Sequence, residues 1–416
     1  MIHSILVERV LAGLLAAIVL AACGAGGGAG ASDAAPDDDA EADGPDDAEV
    51  EEDADEEQGP CEAAEPSVET AVVMDAGRYA PIAVGLDGGS VLIAGGYDFD
   101  LGIQPSAGIF DPASSTLSPA GSLRTGRNFA SWVTLETGEV LVVGGFHPAQ
   151  GSLSLSEIWD GAFAAGASTT ERREALTATL LPDGRVLAAG GLSAVGFVFH
   201  ASAEIYDPAT GEFAPAGDMD VARAFHAAAL LPSGSVLVVG GDSGAGELHT
   251  AEIFDPASGA FEPVASTLSR PAKAPTATVL PDGRVLVAGG ANAVHGTLDL
   301  AWIFDPADSS FEETSPMHVR RMAHAAVLLP DGRVLVAGGW SDTPVPSAST
   351  PSIEIFDPST REWELVAVEL SQPRHDLVLV PLPGCRVLVV GGQQSMAGEP
   401  PVAPVEIEIV TVPAEP

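Results

Sequence analysis

The chain has 416 residues, 46% of them hydrophobic, and a formal net charge of −42. The first 66 positions hold 18 of the 59 acidic residues and one arginine, so the remaining 350 residues carry 41 acidic against 16 basic groups, or −25. Such a charge excludes nucleic acid and anionic lipid as direct partners, while the length suffices for a sizeable core.

Residues 1–22 read as a leader. The apolar run Val10–Ala22 spans 13 residues, short of the ~20 a membrane-crossing helix needs. Its end, Leu20-Ala21-Ala22-Cys23-Gly24, resembles the lipobox of bacterial lipoproteins. That resemblance implies cleavage before Cys23, acylation (palmitate) of its thiol and amine, and an outer-membrane anchor. An ordinary small-residue cleavage site is the alternative. Residues 23–66 form an acidic tether: between Asp33 and Glu57, 15 of 25 residues are Asp or Glu. Nothing there can bury a core, and like charges extend the chain.

From residue 67 to the end one stretch recurs. LPDGRVLAAGG (Leu181–Gly191) returns as LPSGSVLVVGG, LPDGRVLVAGG twice and LPGCRVLVVGG, with looser copies ending at Gly96 and Gly145. The first glycines of the pairs, Gly95, Gly144, Gly190, Gly240, Gly289, Gly338 and Gly391, are 49, 46, 50, 49, 49 and 53 residues apart. A fixed period of this size dictates repeat architecture. Pro-Asp-Gly between apolar runs is a turn, since proline presets φ and glycine accepts positive φ. VLVAGG then reads as a strand covered on both faces. AEIYDPATGEF (Ala203–Phe213) and its copies predict a third strand turning into a fourth. One repeat is four antiparallel strands, and seven such sheets around an axis make an all-β, seven-bladed β-propeller. The seventh repeat supplies three strands, ending in VEIEIVTV. Ser67–Met74 is expected to add the fourth and close the ring.

The double glycine, the Asp-Pro strand end and the trailing aromatic of this repeat resemble kelch repeats across about Pro66–Val412. The resemblance implies the propeller and leaves function open, because kelch propellers serve unrelated roles. With Cys23 assigned to lipid, Cys61 and Cys385 remain as a disulfide pair at the closure seam.

Seventeen residues before the first glycines stand Arg78, Arg127, Arg173, Arg223, Arg321 and Arg374, with Ala272 in the fifth copy. This ring sits at one mouth of the channel. In some kelch propellers, arginines at this place hold acidic peptides. The competing reading ties each arginine to blade carbonyls or a carboxylate. Variable loops follow the glycine pairs, and in them Tyr97 and Trp340, each beside acids, are candidate sugar platforms. His226 and His324 occupy matched positions facing the channel or a seam, without partners at metal-ligand spacing. The fold implied by the resemblance includes galactose oxidase, whose copper is held by tyrosines and histidines with one tyrosine bonded to a cysteine. With three tyrosines and its cysteines otherwise committed, this chain is expected to lack that site, any metal or cofactor, and catalysis. The expectation is a monomeric, lipid-anchored envelope module binding a protein or a cell-envelope glycan. The alternatives are a hydrolase or oxidase with a site at the channel mouth, and a structural envelope component.

Overall fold

A computed structural model describes residue 61, residues 65–343 and residues 347–414. Cys23, the leader and most of the tether lie outside them. Among the described residues there are seven four-stranded antiparallel sheets and five short two-stranded ones. The large sheets are the blades. Their inner strands begin at Ile82, Ser131, Thr177, Ala227, Thr276, Ala325 and Val378, numbering the blades 1 to 7.

Each second strand carries the apolar run and is buried throughout, as in Val236–Val239 and Val334–Ala337. Its two faces meet the blades on either side, so the core lies between neighbours. Leu237 and Val239 of blade 4, for instance, pack with Val285, Val287 and Phe304 of blade 5. In blades 2 to 6 a trailing aromatic crosses to the third strand: Phe254 meets Phe261 with ring centroids 4.9 Å apart, and Phe356 meets Trp363 at 5.0 Å. The Pro-Asp-Gly turns close as expected, with the Gly184 N–H returning to the Leu181 carbonyl at 3.0 Å.

The last blade is closed from the front of the chain. Ser67–Val73 lies antiparallel to Glu406–Thr411, in register from Ser67 opposite Thr411 to Val73 opposite Glu406, with one bulge. Cys61 and Cys385 form a disulfide beside this seam, with Cα atoms 4.8 Å apart. No helix among the described residues is long and apolar enough to cross a membrane.

The glycine pairs hold the ring together. The second glycine of each blade donates its N–H to the carbonyl of the arginine position in the next blade: Gly145 to Arg173, Gly241 to Ala272, and Gly392 back to Arg78, at 2.8, 2.8 and 2.9 Å. The first glycine makes room for that carbonyl. A Cβ on Gly190 would lie 2.4 Å from the Arg223 oxygen, and one on Gly391 would lie 2.3 Å from that of Arg78. Both glycines also have positive φ.

Candidate functional site

The face carrying the glycine pairs is built on a second ring. Two residues beyond each arginine position stand Ala80, Phe129, Ala175, Phe225, Ala274, Ala323 and Asp376, all left-handed with φ between 49° and 53°. Their backbones link blade to blade around the mouth: Ala175 N–H to Phe129, Phe225 to Ala175, Ala274 to Phe225, Ala323 to Ala274 and Asp376 to Ala323. Seven non-glycine residues in this conformation are costly and persist only because the ring over-determines them.

The sequence-predicted arginines lie beneath this ring and do not form a ligand face. Arg127, Arg173, Arg223, Arg321 and Arg374 are fully buried. Each Nη1 donates to the first-glycine carbonyl of its own blade, and each Nη2 pairs with a buried glutamate of strand three: Glu157, Glu204, Glu252, Glu354 and Glu408, at 2.5 to 3.0 Å. The glutamates in turn accept backbone N–H groups, as Glu252 does from Asp220 and Val221. Burial pulls these guanidinium pKa values down while the facing glutamates hold them up. Arg78 has Gly108 in place of a glutamate; it donates to Gly95, Ser106 and the Ser106 hydroxyl, and burial lowers its pKa to about 10. In blade 5 both partners are exchanged together: Ala272 replaces the arginine, Trp302 replaces the glutamate, and its indole donates to Ser269. The glutamates were missed in the sequence because they occupy the polar phase of an alternating strand. The signal was in the fifth repeat, where the arginine and the glutamate are lost together.

The two candidate sugar platforms are likewise committed. Asp98, beside Tyr97, accepts N–H groups from Gly77, Asp100 and Leu101. Asp342, near Trp340, is bound to Thr297 of the previous blade's loop. His226 and His324 are seam residues: their Nε2 atoms meet Thr177 and Thr276 of the preceding blade at 2.9 and 3.1 Å. Burial drives the His226 pKa down to about 3 and that of His324 well below its usual value.

The structure brings together a group that the sequence did not single out. The rings of Tyr79, Phe129 and Phe225 form a belt across the mouth, with centroids 5.2 Å and 6.4 Å apart in succession. Lys273 caps one end, its Nζ 4.8 Å from the Phe225 centroid and 3.1 Å from Asp242. At the other end Tyr79 faces Asp376, whose Oδ2 lies 3.8 Å from His375 Nε2; His375 Nδ1 meets the Ser349 hydroxyl at 2.9 Å. Asp376 is the single ionisable side chain among the seven left-handed residues. Around the mouth stand the hairpins that follow the glycine pairs, tipped by exposed Leu101, Val195, Phe197, Val294, Met396 and Val402. The opposite face offers an open cleft of about 580 Å³ between blades 4 and 5, lined by Pro232, Ser235, Asp282 and Arg284 among others. Asp282 and Arg284 pair with each other there.

A profile for the Kelch motif matches residues 321–367, which is blade 6 from its arginine into its outer strand. The comparison with curated protein sequences returned no match. Among solved structures, a fungal alcohol oxidase of the AA5 family, in complex with copper, superposes with a TM-score of 0.68 at 15% identity, covering 84% of this chain and 77% of that one. The chain is a seven-bladed kelch-type propeller. The expectation that it lacks catalysis is withdrawn: a protein of the same fold is a copper alcohol oxidase. Among the described residues, the tyrosines and cysteines do not fit a tyrosine–histidine–cysteine copper centre. Cys61 and Cys385 are bonded to each other, Tyr79 packs edge-on against Phe129, and Tyr97 and Tyr206 pack on Phe99 and Phe213 of their own blades.

Proposed function

We propose that this kelch-type propeller is an interaction module of the cell envelope, anchored by lipid on Cys23, which meets a protein partner with its double-glycine face. Kelch propellers generally serve protein interaction, and the finer reading is carried by one observation. The large exposed apolar side chains concentrate on the hairpin tips around the channel mouth, with Val294 78% and Leu101 67% exposed. Exposed apolar groups gathered on one face mark interaction surfaces. A glycan is the less favoured partner, because the acids beside Tyr97 and Trp340 are bound within the fold.

Site-specific photocrosslinking in the native envelope tests this. A crosslinker at Val294 is expected to yield one discrete adduct, and a crosslinker at Ser233, on the opposite face, none. Equal labelling from both positions overturns the choice of face. Cys23→Ser is expected to move the protein from the membrane to the soluble fraction, and unchanged fractionation overturns the anchor.

A further inference from the structure

We infer that the closure seam is a redox-gated metal site: once the Cys61–Cys385 disulfide is reduced, its two sulfurs and the Asp331 carboxylate hold a thiophilic divalent cation such as zinc. The inference is independent of the interaction-face reading and of the lipid anchor.

Cys385 stands where the repeat has a glycine. In blades 3 to 6 the turn between strands one and two uses Gly184, Gly234, Gly283 and Gly332, with φ between 81° and 89°; blade 7 puts Cys385 there, at φ 54°. A side chain at this place aims at the preceding blade. A Cβ on Gly234, Gly283 or Gly332 would lie 3.1, 2.7 or 3.0 Å from Pro182, Pro232 or Pro281 of the turn before it. Cys385 therefore delivers its sulfur to the blade 6 turn, at a backbone cost that glycine avoids. The aspartate of that turn is Asp331. Its Oδ2 lies 3.2 Å from Cys61 Sγ and 3.9 Å from Cys385 Sγ, and the three ligand atoms fall within 4.8 Å of one another. Asp331 by itself is scaffold, since Asp183 and Asp282 pair with their arginines in the same way. What sets this seam apart is the pair of sulfurs brought against it.

Geometry and charge suit a metal. Zinc binds thiolate sulfur at about 2.3 Å and carboxylate oxygen at about 2.1 Å, so tetrahedral ligands of the two kinds sit roughly 3.6 Å apart. The two sulfur–oxygen distances bracket that value. Arg333 fixes the carboxylate, its Nε 2.8 Å and its Nη2 2.5 Å from Oδ2, an outer contact of the kind that orients a metal ligand. Two thiolates, Asp331, Arg333 and a dication sum to zero charge. Cys385 is buried while Asp331 is exposed, which leaves an entry path and a fourth position for water. Sulfur donors favour zinc or cadmium over calcium and magnesium.

The chemistry balances with one co-reactant, a dithiol. It gives two electrons and two protons to the disulfide and leaves as its own disulfide. The cation then displaces the two thiol protons as it binds. Coordination takes over from the covalent bond as the link between Cys61 and blade 7.

The test uses the full chain, oxidised and after reduction with dithiothreitol that is then removed without air. Each form is titrated with zinc and, as a spectroscopic probe, with cadmium. Circular dichroism first shows that the reduced chain is still folded. The reduced protein is expected to bind one equivalent, to release two protons, to show an ultraviolet thiolate-to-cadmium band, and to melt above its metal-free form. The oxidised protein is expected to bind none. Asp331→Ala is expected to weaken zinc binding by roughly tenfold or more while keeping the band. Should that variant fail to fold, Asp331→Asn removes the same charge and is read in the same way. No uptake by the reduced chain, loss of its fold on reduction, equal uptake by the oxidised chain or by Cys61→Ser with Cys385→Ser, or unchanged affinity in the Asp331 variants overturns the inference.

Discussion

Arg223 and Glu252 show what a buried pair is worth in this ring. Neither side chain reaches solvent, and each is satisfied by the other and by backbone groups. Removing one partner leaves an uncompensated buried charge, so Arg223→Ala is expected to cost about 3–5 kcal/mol. Blade 5 shows an alternative, in which Ala272 and Trp302 fill the same volume without charge. Arg223→Ala combined with Glu252→Trp is thus expected to recover much of the loss, read by thermal unfolding; a double variant no more stable than the single one contradicts this. Titration gives a second test. Burial raises the Glu174 pKa to about 7, so its neutral form suits the fold; Ser152 is its hydrogen-bond partner. A raised acid contributes stability that is whole below its unfolded value near 4.5 and is lost as pH rises through 7. Glu174→Gln should match the parent at pH 4.5 and exceed it at pH 8 by up to about 3 kcal/mol. His226 runs the other way: its depressed pKa contributes stability above pH 6.5 that is lost as pH falls towards about 3.

The blade, as an element, was largely legible in the sequence, and the glycine pair explains why. The period, the Pro-Asp-Gly turn and the Asp-Pro hairpin each encode one local conformation, and local conformation is what a short motif can state. Repeat two, whose third-to-fourth-strand hairpin is three residues shorter than Phe254 to Phe261, still pairs Trp159 with Phe163, so the deletion is absorbed in the turn without shifting the blade's inner pairs. The glycines encode something beyond their own blade, the approach of the next blade's carbonyl. Gly190 and Gly211 of blade 3 separate the two causes. Both have positive φ, but a Cβ on Gly190 meets the Arg223 oxygen at 2.4 Å, while one on Gly211 meets nothing within 4 Å. Gly211→Ala is expected to cost about 1 kcal/mol from backbone strain alone. Gly190→Ala must also push two blades apart and is expected to cost several times more. Equal losses would mean that the seam bond contributes little. The mouth was not legible for the complementary reason. Tyr79, Phe129, Phe225 and Asp376 come from four blades, and though the last three share one repeat position, its residue type changes from blade to blade, so no pattern marks them; Arg78 and its equivalents drew attention because they repeat, and repetition marks scaffold.

At the scale of the whole molecule, the ring depends on a strand that arrives last in space and first in sequence. Ser67–Val73 covers Glu406–Thr411, whose Ile407, Ile409 and Val410 are buried on the faces of that sheet. The first and seventh blades also exchange the Gly392–Arg78 bond, so every seam of the circle carries the same link. The Cys61–Cys385 disulfide spans 324 residues, which makes it a constraint on the unfolded chain as much as a local contact. In the chain-entropy account a loop of this length is worth about 5 kcal/mol. Two removals should then separate pairing from covalent closure. A chain beginning at residue 75 loses the fourth strand and exposes an apolar edge, and is expected to aggregate rather than unfold reversibly. Cys61→Ser with Cys385→Ser keeps the strand pairing and is expected to fold, unfolding at a lower temperature. If the double serine variant melts with the parent, closure is held by the strand alone; if the truncated chain stays monomeric and melts with the parent, the strand is not what holds the circle shut.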